Sequence, residues 1–150
     1  MLKARIDQDL KKALLAGDKV LTMTLRGLKS VILYAEVASG SREKGLGDDE
    51  IIMLLAKEAK KRQESAELYS KGGNEERAAA ELSEKKVIES YLPTQLSDDE
   101  LIKLIQESIT ELGLSGPSAM GQVIGMVKQK AAGQADGARI AQFVKQTLSE

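Results

Sequence analysis

The residues best suited to chemistry are the charged ones around Lys60-Lys61-Arg62. Arg62 lies on a helical stripe of mostly apolar residues, so its guanidinium is predicted to face a neighbouring helix. Glu81 and Glu84 follow on the next predicted helix. A guanidinium pairs well with carboxylates, and burying it without partners costs several kcal/mol. These residue types predict a structural ion-pair network of Arg62, Glu81 and Glu84. A charged functional site is the alternative interpretation.

A tight turn at Gly72-Gly73 brings the two sides of this network together. If the helix before the turn folds back on the helix after it, Arg62 falls opposite Ser83, between the two glutamates. The stripe that carries Arg62 alternates steps of three and four residues, as coiled-coil seams do. It comprises Ile52, Leu55, Ala59, Arg62, Ala66 and Tyr69.

Seven basic residues are candidates for binding phosphate groups, because lysine and arginine supply most phosphate contacts. Three lie beside Arg62 and four lie near the end of the chain, where they are too few for tight binding. For the first three, the residues themselves favour a solvated helix face over a phosphate site, since Glu58, Glu64 and Glu67 interleave with them. The seven are Lys57, Lys60, Lys61, Lys128, Lys130, Arg139 and Lys145.

Four glycines are predicted to allow close approach of another backbone. Gly121 and Gly125 lie four residues apart inside a predicted helix, where each costs about 1 kcal/mol relative to alanine. They form a flat strip for a packed helix, which is the default interpretation, or for a nucleic-acid backbone. Gly133 and Gly137 flank the turn before the last helix, whose N-terminus is a weak anion site that Asp136 opposes.

Composition limits the chemistry further. The 150 residues include 42% hydrophobic and only 3% aromatic residues, which favours an aliphatic, helical core. There is no cysteine and no histidine, which excludes thiolate nucleophiles and histidine bases or ligands. We therefore expect no catalytic residue, no cofactor and no metal. The net charge is −1, with 17 Lys/Arg and 16 Asp/Glu in residues 1–93 and 5 and 7 in residues 94–150. No global basic field attracts nucleic acid.

The hydrophobic pattern predicts an all-α fold in two parts. Residues 1–93 form an N-terminal domain with a long helical hairpin, and Pro93 ends it. Residues 94–150 form a compact three-helix domain. Residues 39–47 are rich in glycine and charge and are predicted to be a mobile loop. Predicted helix caps are Asp18, either Asp48 or Asp49, Asn74, Ser97 and Asp136. The sequence shows neither a signal peptide nor a membrane-spanning run, so we expect a cytoplasmic protein without membrane contact.

Nearly the whole chain resembles the GatB/YqeY family. The resemblance rests on Lys60-Lys61-Arg62 with Ser65 and Tyr69, then Glu81 and Glu84, then Tyr91-Leu92-Pro93, then Met120-Gly121, Gly125 and the segment from Gly133 to Gly137. Gln134 stands where that segment usually has an arginine. The family includes stand-alone proteins and the tail domain of the amidotransferase that converts Glu-tRNA(Gln) to Gln-tRNA(Gln).

The resemblance implies a helical protein in two parts that binds tRNA or proteins of the tRNA-aminoacylation or amidotransferase machinery, without catalysis. One alternative is a protein-interaction module that uses the 39–47 loop or an apolar helix face. Another is a carbon–nitrogen ligase with glutamine as amido-N-donor, which family labels suggest. The sequence contains no nucleophile system, no ATP-binding glycine loop and no amidase-like motif to support that activity.

Overall fold

The computed structural model describes residues 1–149, and these residues form seven α-helices and one 3₁₀ turn. The all-α prediction is confirmed. The helices are α1 (Leu2–Ala16), α2 (Lys19–Ala38), α3 (Asp48–Lys71), α4 (Glu75–Glu89), α5 (Asp98–Leu112), α6 (Met120–Ala131) and α7 (Gly137–Ser149), and the 3₁₀ turn Pro117–Ala119 precedes α6.

Several helices begin where the sequence places a capping side chain. Asp18 accepts a hydrogen bond from Leu21 N at 3.0 Å, and Asn74 accepts one from Arg77 N at 3.1 Å. Ser97 caps α5 together with Glu100, whose carboxylate accepts from Ser97 N at 2.8 Å. These bonds satisfy backbone N–H groups that a helix leaves open at its start. The hydrogen bond from the backbone N–H of Ser97 lowers the pKa of Glu100 below its usual value.

The predicted cap of α3 is wrong. Gly47 is the capping residue, and Glu50 accepts from Gly47 N at 2.9 Å. The Asp48 carboxylate instead accepts from Leu2 N at 3.0 Å and from the Met1 amino group at 3.1 Å. These bonds lower the pKa of Asp48. Asp48 therefore holds the start of α1 against the start of α3.

The start of α6 also differs from the prediction. Pro117 opens the 3₁₀ turn, so Gly121 is the second residue of α6 rather than a mid-helix residue. At the other end, α6 stops at Ala131 because Ala132 takes the left-handed conformation at φ 47°. Gly133, which the sequence analysis places at the turn before the last helix, follows with φ 86°.

The chain divides after Leu92 into two compact units. In the first, α3 and α4 pack along each other, α1 and α2 pack together, α1 contacts α3, and α2 contacts both α3 and α4. Its aliphatic core is centred on side chains such as Ile6, Leu25, Leu28, Ile51 and Ile88. Ile51 is fully buried, whereas the predicted seam residue Ile52 is only partly buried.

The second unit begins at Pro93 and contains α5, α6 and α7. Its core is formed by Leu101, Ile105, Val123, Val127 and Ile140, all fully buried. That the two units are separate domains, with a boundary between residues 93 and 94, stays a prediction.

Candidate functional site

Arg62 lies in the α3–α4 hairpin among three carboxylates. Its Nε is 2.8 Å from Glu84 Oε2 and 3.7 Å from Glu81 Oε2, so the structure brings the three predicted network residues together. The Arg62 side chain is 26% exposed. Its Nε makes ion pairs but finds no hydrogen-bond acceptor among residues 1–149, because the N–H does not point at either carboxylate.

Glu58 is the third carboxylate, and sequence reasoning missed it by placing it on a solvated face. It is buried at 6% exposure, and Arg62 Nη1 lies 3.5 Å from its Oε2. Lys61 donates to its other oxygen at 3.0 Å. The spacing from Glu58 to Arg62 is one helical turn, and Ala59 beside it is buried, so a local signal for this pair existed.

Two cations thus meet three carboxylates in this cluster. It carries no excess positive charge, so it is unsuited to binding a phosphate. Across the same helix pair, Lys85 donates to Gln63 at 2.9 Å. The geometry is that of a polar layer that fixes the register of α3 against α4.

A second polar cluster, which the sequence did not predict, lies on α2. Glu36 is 1% exposed and accepts a hydrogen bond from Lys3 Nζ at 2.7 Å. It also accepts from Leu46 N at 3.3 Å, in the 39–47 loop. These bonds, led by the one from Lys3, lower the pKa of Glu36 below its usual value. Glu36 therefore ties the loop to α1 and α2. A partly open groove of about 200 Å³ lies beside Glu36, and its lining includes Ile6 and Ile32.

Tyr91 closes the core of the first unit. It is 6% exposed, its hydroxyl donates to Asp9 at 2.6 Å, and the Arg5 guanidinium lies 4.7 Å from its ring centroid. Burial, with the bond to Asp9 as the second cause, raises the pKa of Tyr91. The family pattern contains Tyr91, but its partner lies on α1 and gave no signal in the sequence.

The structure separates the seven candidate tRNA-binding residues into two groups. Three are engaged by carboxylates: Lys61 by Glu58, Lys130 by Glu111, and Arg139 by Asp98 at 2.6 Å. Arg139 also donates to the carbonyl of Leu96 at 2.8 Å. The other four are exposed and make no ion pair within residues 1–149: Lys57, Lys60, Lys128 and Lys145.

The glycine strip on α6 has open space above it in the second unit. A Cβ placed on Gly121 or Gly125 meets no described atom within 4 Å outside the backbone of α6 itself, so neither α5 nor α7 packs against the strip. Val123 and Val127 lie on the opposite face of α6 and pack in the core, so the two glycines are exposed. At Gly137 another residue does approach the backbone closely: a Cβ there would lie 3.1 Å from Lys128 Cε and 3.3 Å from its Nζ.

Residues 1–149 contain no group of three or more acidic side chains arranged to hold a metal ion. Within the same range, every helix is too short or too polar to cross a membrane.

Comparison with known proteins identifies the family. A family model described as Yqey-like protein matches residues 3–148. Similar curated proteins include three that are named altered inheritance of mitochondria protein 41, mitochondrial. The one from Kluyveromyces lactis is 33% identical over 131 residues, which is 85% of this chain and 69% of that protein. Those from Lachancea thermotolerans and Eremothecium gossypii are each 33% identical, over 77% and 59% of this chain. This chain spans 62% and 48% of their lengths. The chain belongs to the YqeY-like protein family.

Proposed function

We propose that this protein is a non-catalytic accessory of the tRNA-aminoacylation machinery and that it binds tRNA. The observation that carries the proposal is the open face of α6. Gly121 and Gly125 leave room there for a phosphate backbone, and Lys128, on the same face, is an exposed cation without a carboxylate partner within residues 1–149. Family membership supports the proposal, because the tail domain of the amidotransferase, which this chain resembles, binds tRNA.

Two further exposed cations support binding in the first unit. Lys57 and Lys60 lie on α3 without an ion-pair partner in the described range, one turn or less from the Arg62 cluster. Lys61, Lys130 and Arg139 are weaker candidates than the sequence suggested, because each would have to leave a carboxylate to reach a phosphate. With so few available cations, binding is expected to be modest and sensitive to salt.

A titration of fluorescently labelled tRNA with the purified protein at about 50 mM and 200 mM salt tests this function. We expect micromolar binding at the lower salt and a steep loss at the higher. Replacing Lys128 with Gln should weaken binding and reduce the slope of log K against log salt by about 0.7 to 0.9. Lys103→Gln, an exposed lysine on α5, is the matched control. Absence of binding at about 10 µM protein in low salt would contradict the proposal.

The proposed compartment is the cytoplasm, and the proposed protein partners are enzymes of tRNA aminoacylation or amidotransfer. The names of the three relatives carry the word mitochondrial, and those proteins are longer. Cell fractionation of the tagged native protein distinguishes the two compartments. Recovery with the mitochondrial fraction would contradict a cytoplasmic role.

A further inference from the structure

The outer face of α2 exposes a row of apolar side chains. Val20 is 64% exposed, Met23 72%, Tyr34 74% and Val37 55%. The inner face of the same helix already packs in the core through residues such as Leu25. A helix at the surface of a globular protein needs only one apolar face, so the second one is not explained by the fold.

The spacing of the outer row is that of a helix-packing seam. Its members follow one another in steps of three, four, three, four and three residues: Val20, Met23, Gly27, Ser30, Tyr34 and Val37. This alternation keeps side chains on one stripe and is the pattern by which two helices pack at a shallow angle. We refer to these six residues as the outer seam.

The middle of the outer seam is a notch. Gly27 has no side chain and Ser30 a small one, while bulky residues stand at both ends. A Cβ placed on Gly27 meets no atom within 4 Å, so the space above it is open. A notch between bulky ends fits the closest approach of a second helix. A lipid surface would instead favour bulky apolar residues along the whole stripe.

The charges beside the outer seam that have no ion-pair partner in residues 1–149 are positive. Lys19 and Arg26 lie along one edge, exposed and without an ion pair in residues 1–149. Lys29 pairs with Asp7 at 2.7 Å. Within α2 the one acidic residue is Glu36, which is buried and paired with Lys3, and the carboxylate of Asp18, just before the helix, is bonded to Leu21 N as its cap. A second copy of α2 would therefore bring no carboxylate to Lys19 or Arg26.

We propose that the outer seam docks an amphipathic helix of another protein, with small apolar residues opposite the notch and Asp or Glu along the edge that meets Lys19 and Arg26. Carboxylates there supply the charge that α2 lacks and set the orientation of the partner. This inference is independent of tRNA binding, which involves α3 and α6.

Two designed helical hairpins serve as probes. Both present the same Leu/Ala seam on one preformed helix, and they differ only in having Glu or Lys along its edges. Fluorescence anisotropy should show that the protein binds the Glu hairpin about fivefold to tenfold more tightly than the Lys hairpin. The double variant Lys19→Glu, Arg26→Glu should reverse this preference. Equal binding of both hairpins, or binding of neither, overturns the proposal.

A variant that fills the notch separates docking from folding. Gly27→Gln should abolish binding of the Glu hairpin, whereas the melting temperature should hold or rise, because the new side chain meets open space and Gln favours helix over Gly. Gly125→Gln places the same change in another helix with open space above it and should leave hairpin binding unchanged.

Gly27→Gln also tests two other partners of the outer seam, a second copy of this protein and a lipid surface. Sedimentation equilibrium detects a homodimer, and flotation with vesicles of phosphatidylglycerol detects lipid binding. A dimer, or vesicle binding, that is lost in Gly27→Gln would overturn the proposal in favour of a second copy or a membrane surface. A monomer that stays away from vesicles and binds the Glu hairpin supports it.

Discussion

At the scale of single residues, the cluster around Arg62 contains more carboxylates than the guanidinium can satisfy. Glu58 is nearly buried, and the other two glutamates are about a quarter to a third exposed. Removing the arginine would leave three negative charges facing one another across α3 and α4. Breaking a buried ion pair from one side costs more than the pair contributes, because the remaining charge loses its compensation.

Arg62→Met should therefore lower the free energy of unfolding by about 1 to 3 kcal/mol, less than for a fully buried pair because water reaches part of the side chain. Chemical denaturation measures this change. Adding Glu84→Gln to Arg62→Met should recover part of the loss, which a double-mutant cycle detects. Lys60→Met, an exposed neighbour without an ion pair in the described residues, should change stability by less than about 0.5 kcal/mol.

Glu36 makes the stability depend on pH in a predictable direction. Its pKa is lowered in the folded state, so its contribution is fully present above the usual value near 4.5. That contribution is lost as the pH falls through the lowered folded value. Glu36→Gln should thus reduce the melting temperature at pH 7, and the difference from the unmodified protein should shrink below about pH 4.5.

Circular dichroism melts at several pH values test this expectation. Glu43→Gln, an exposed residue of the same loop, is the control and should have little effect at any pH. A difference for Glu36→Gln that grows at low pH would contradict the assignment of the Lys3 and Leu46 bonds as its cause.

The helix caps that sequence reasoning placed correctly are those whose bonding partners are near in the chain. Asp18, Asn74 and Ser97 cap helices because a capping bond spans only three residues. Asp48 was misassigned because its partner is the start of α1, 46 residues away along the chain. A local rule cannot indicate that a side chain will bond to a distant element instead of its own helix.

The same limit explains the two polar contacts that the sequence did not predict. Glu36 and Lys3 are 33 positions apart, and Tyr91 and Asp9 are 82 apart. Both contacts depend on how α1 is placed in the first unit. By contrast, the Gly72-Gly73 turn sets the register of α3 and α4, which is why the positions of Glu81 and Glu84 opposite Arg62 could be worked out from residue numbers.

At the scale of elements, the glycines of this protein have two distinct roles. Gly113 ends α5 in the left-handed conformation at φ 64°, where residues with a Cβ are strained. Gly125 lies inside α6, its backbone is not left-handed, and a Cβ there meets open space. The fold therefore requires the first glycine but not the second.

Gly125→Ala should raise the free energy of unfolding by about 0.5 to 1 kcal/mol, because alanine loses less entropy in a helix. Gly113→Ala should lower it by about 1 kcal/mol or more. Denaturant titrations compare the two. If Gly125→Ala were destabilising, an unseen neighbour would have to occupy the strip in the isolated protein, and the face would not be available to a phosphate backbone.

At the scale of the whole molecule, the two compact units have separate cores. The buried cluster of the first unit draws only on residues up to Leu92, and that of the second only on residues from Leu96 onward. A unit with its own core can in principle fold alone. The smaller unit should then be the less stable one, because a domain of about 60 residues buries only about 60% of the surface of its unfolded chain, a smaller fraction than a larger domain buries.

We therefore expect the fragments 1–92 and 93–150 each to be helical by circular dichroism and to unfold cooperatively, the smaller one at a lower denaturant concentration. Val123→Ala, which opens a cavity in the fully buried core of the second unit, should destabilise the 93–150 fragment but leave the 1–92 transition of the full chain in place. A fragment 93–150 without helical signal, or a single transition that Val123→Ala shifts as a whole, would mean that the chain folds as one domain despite its two cores.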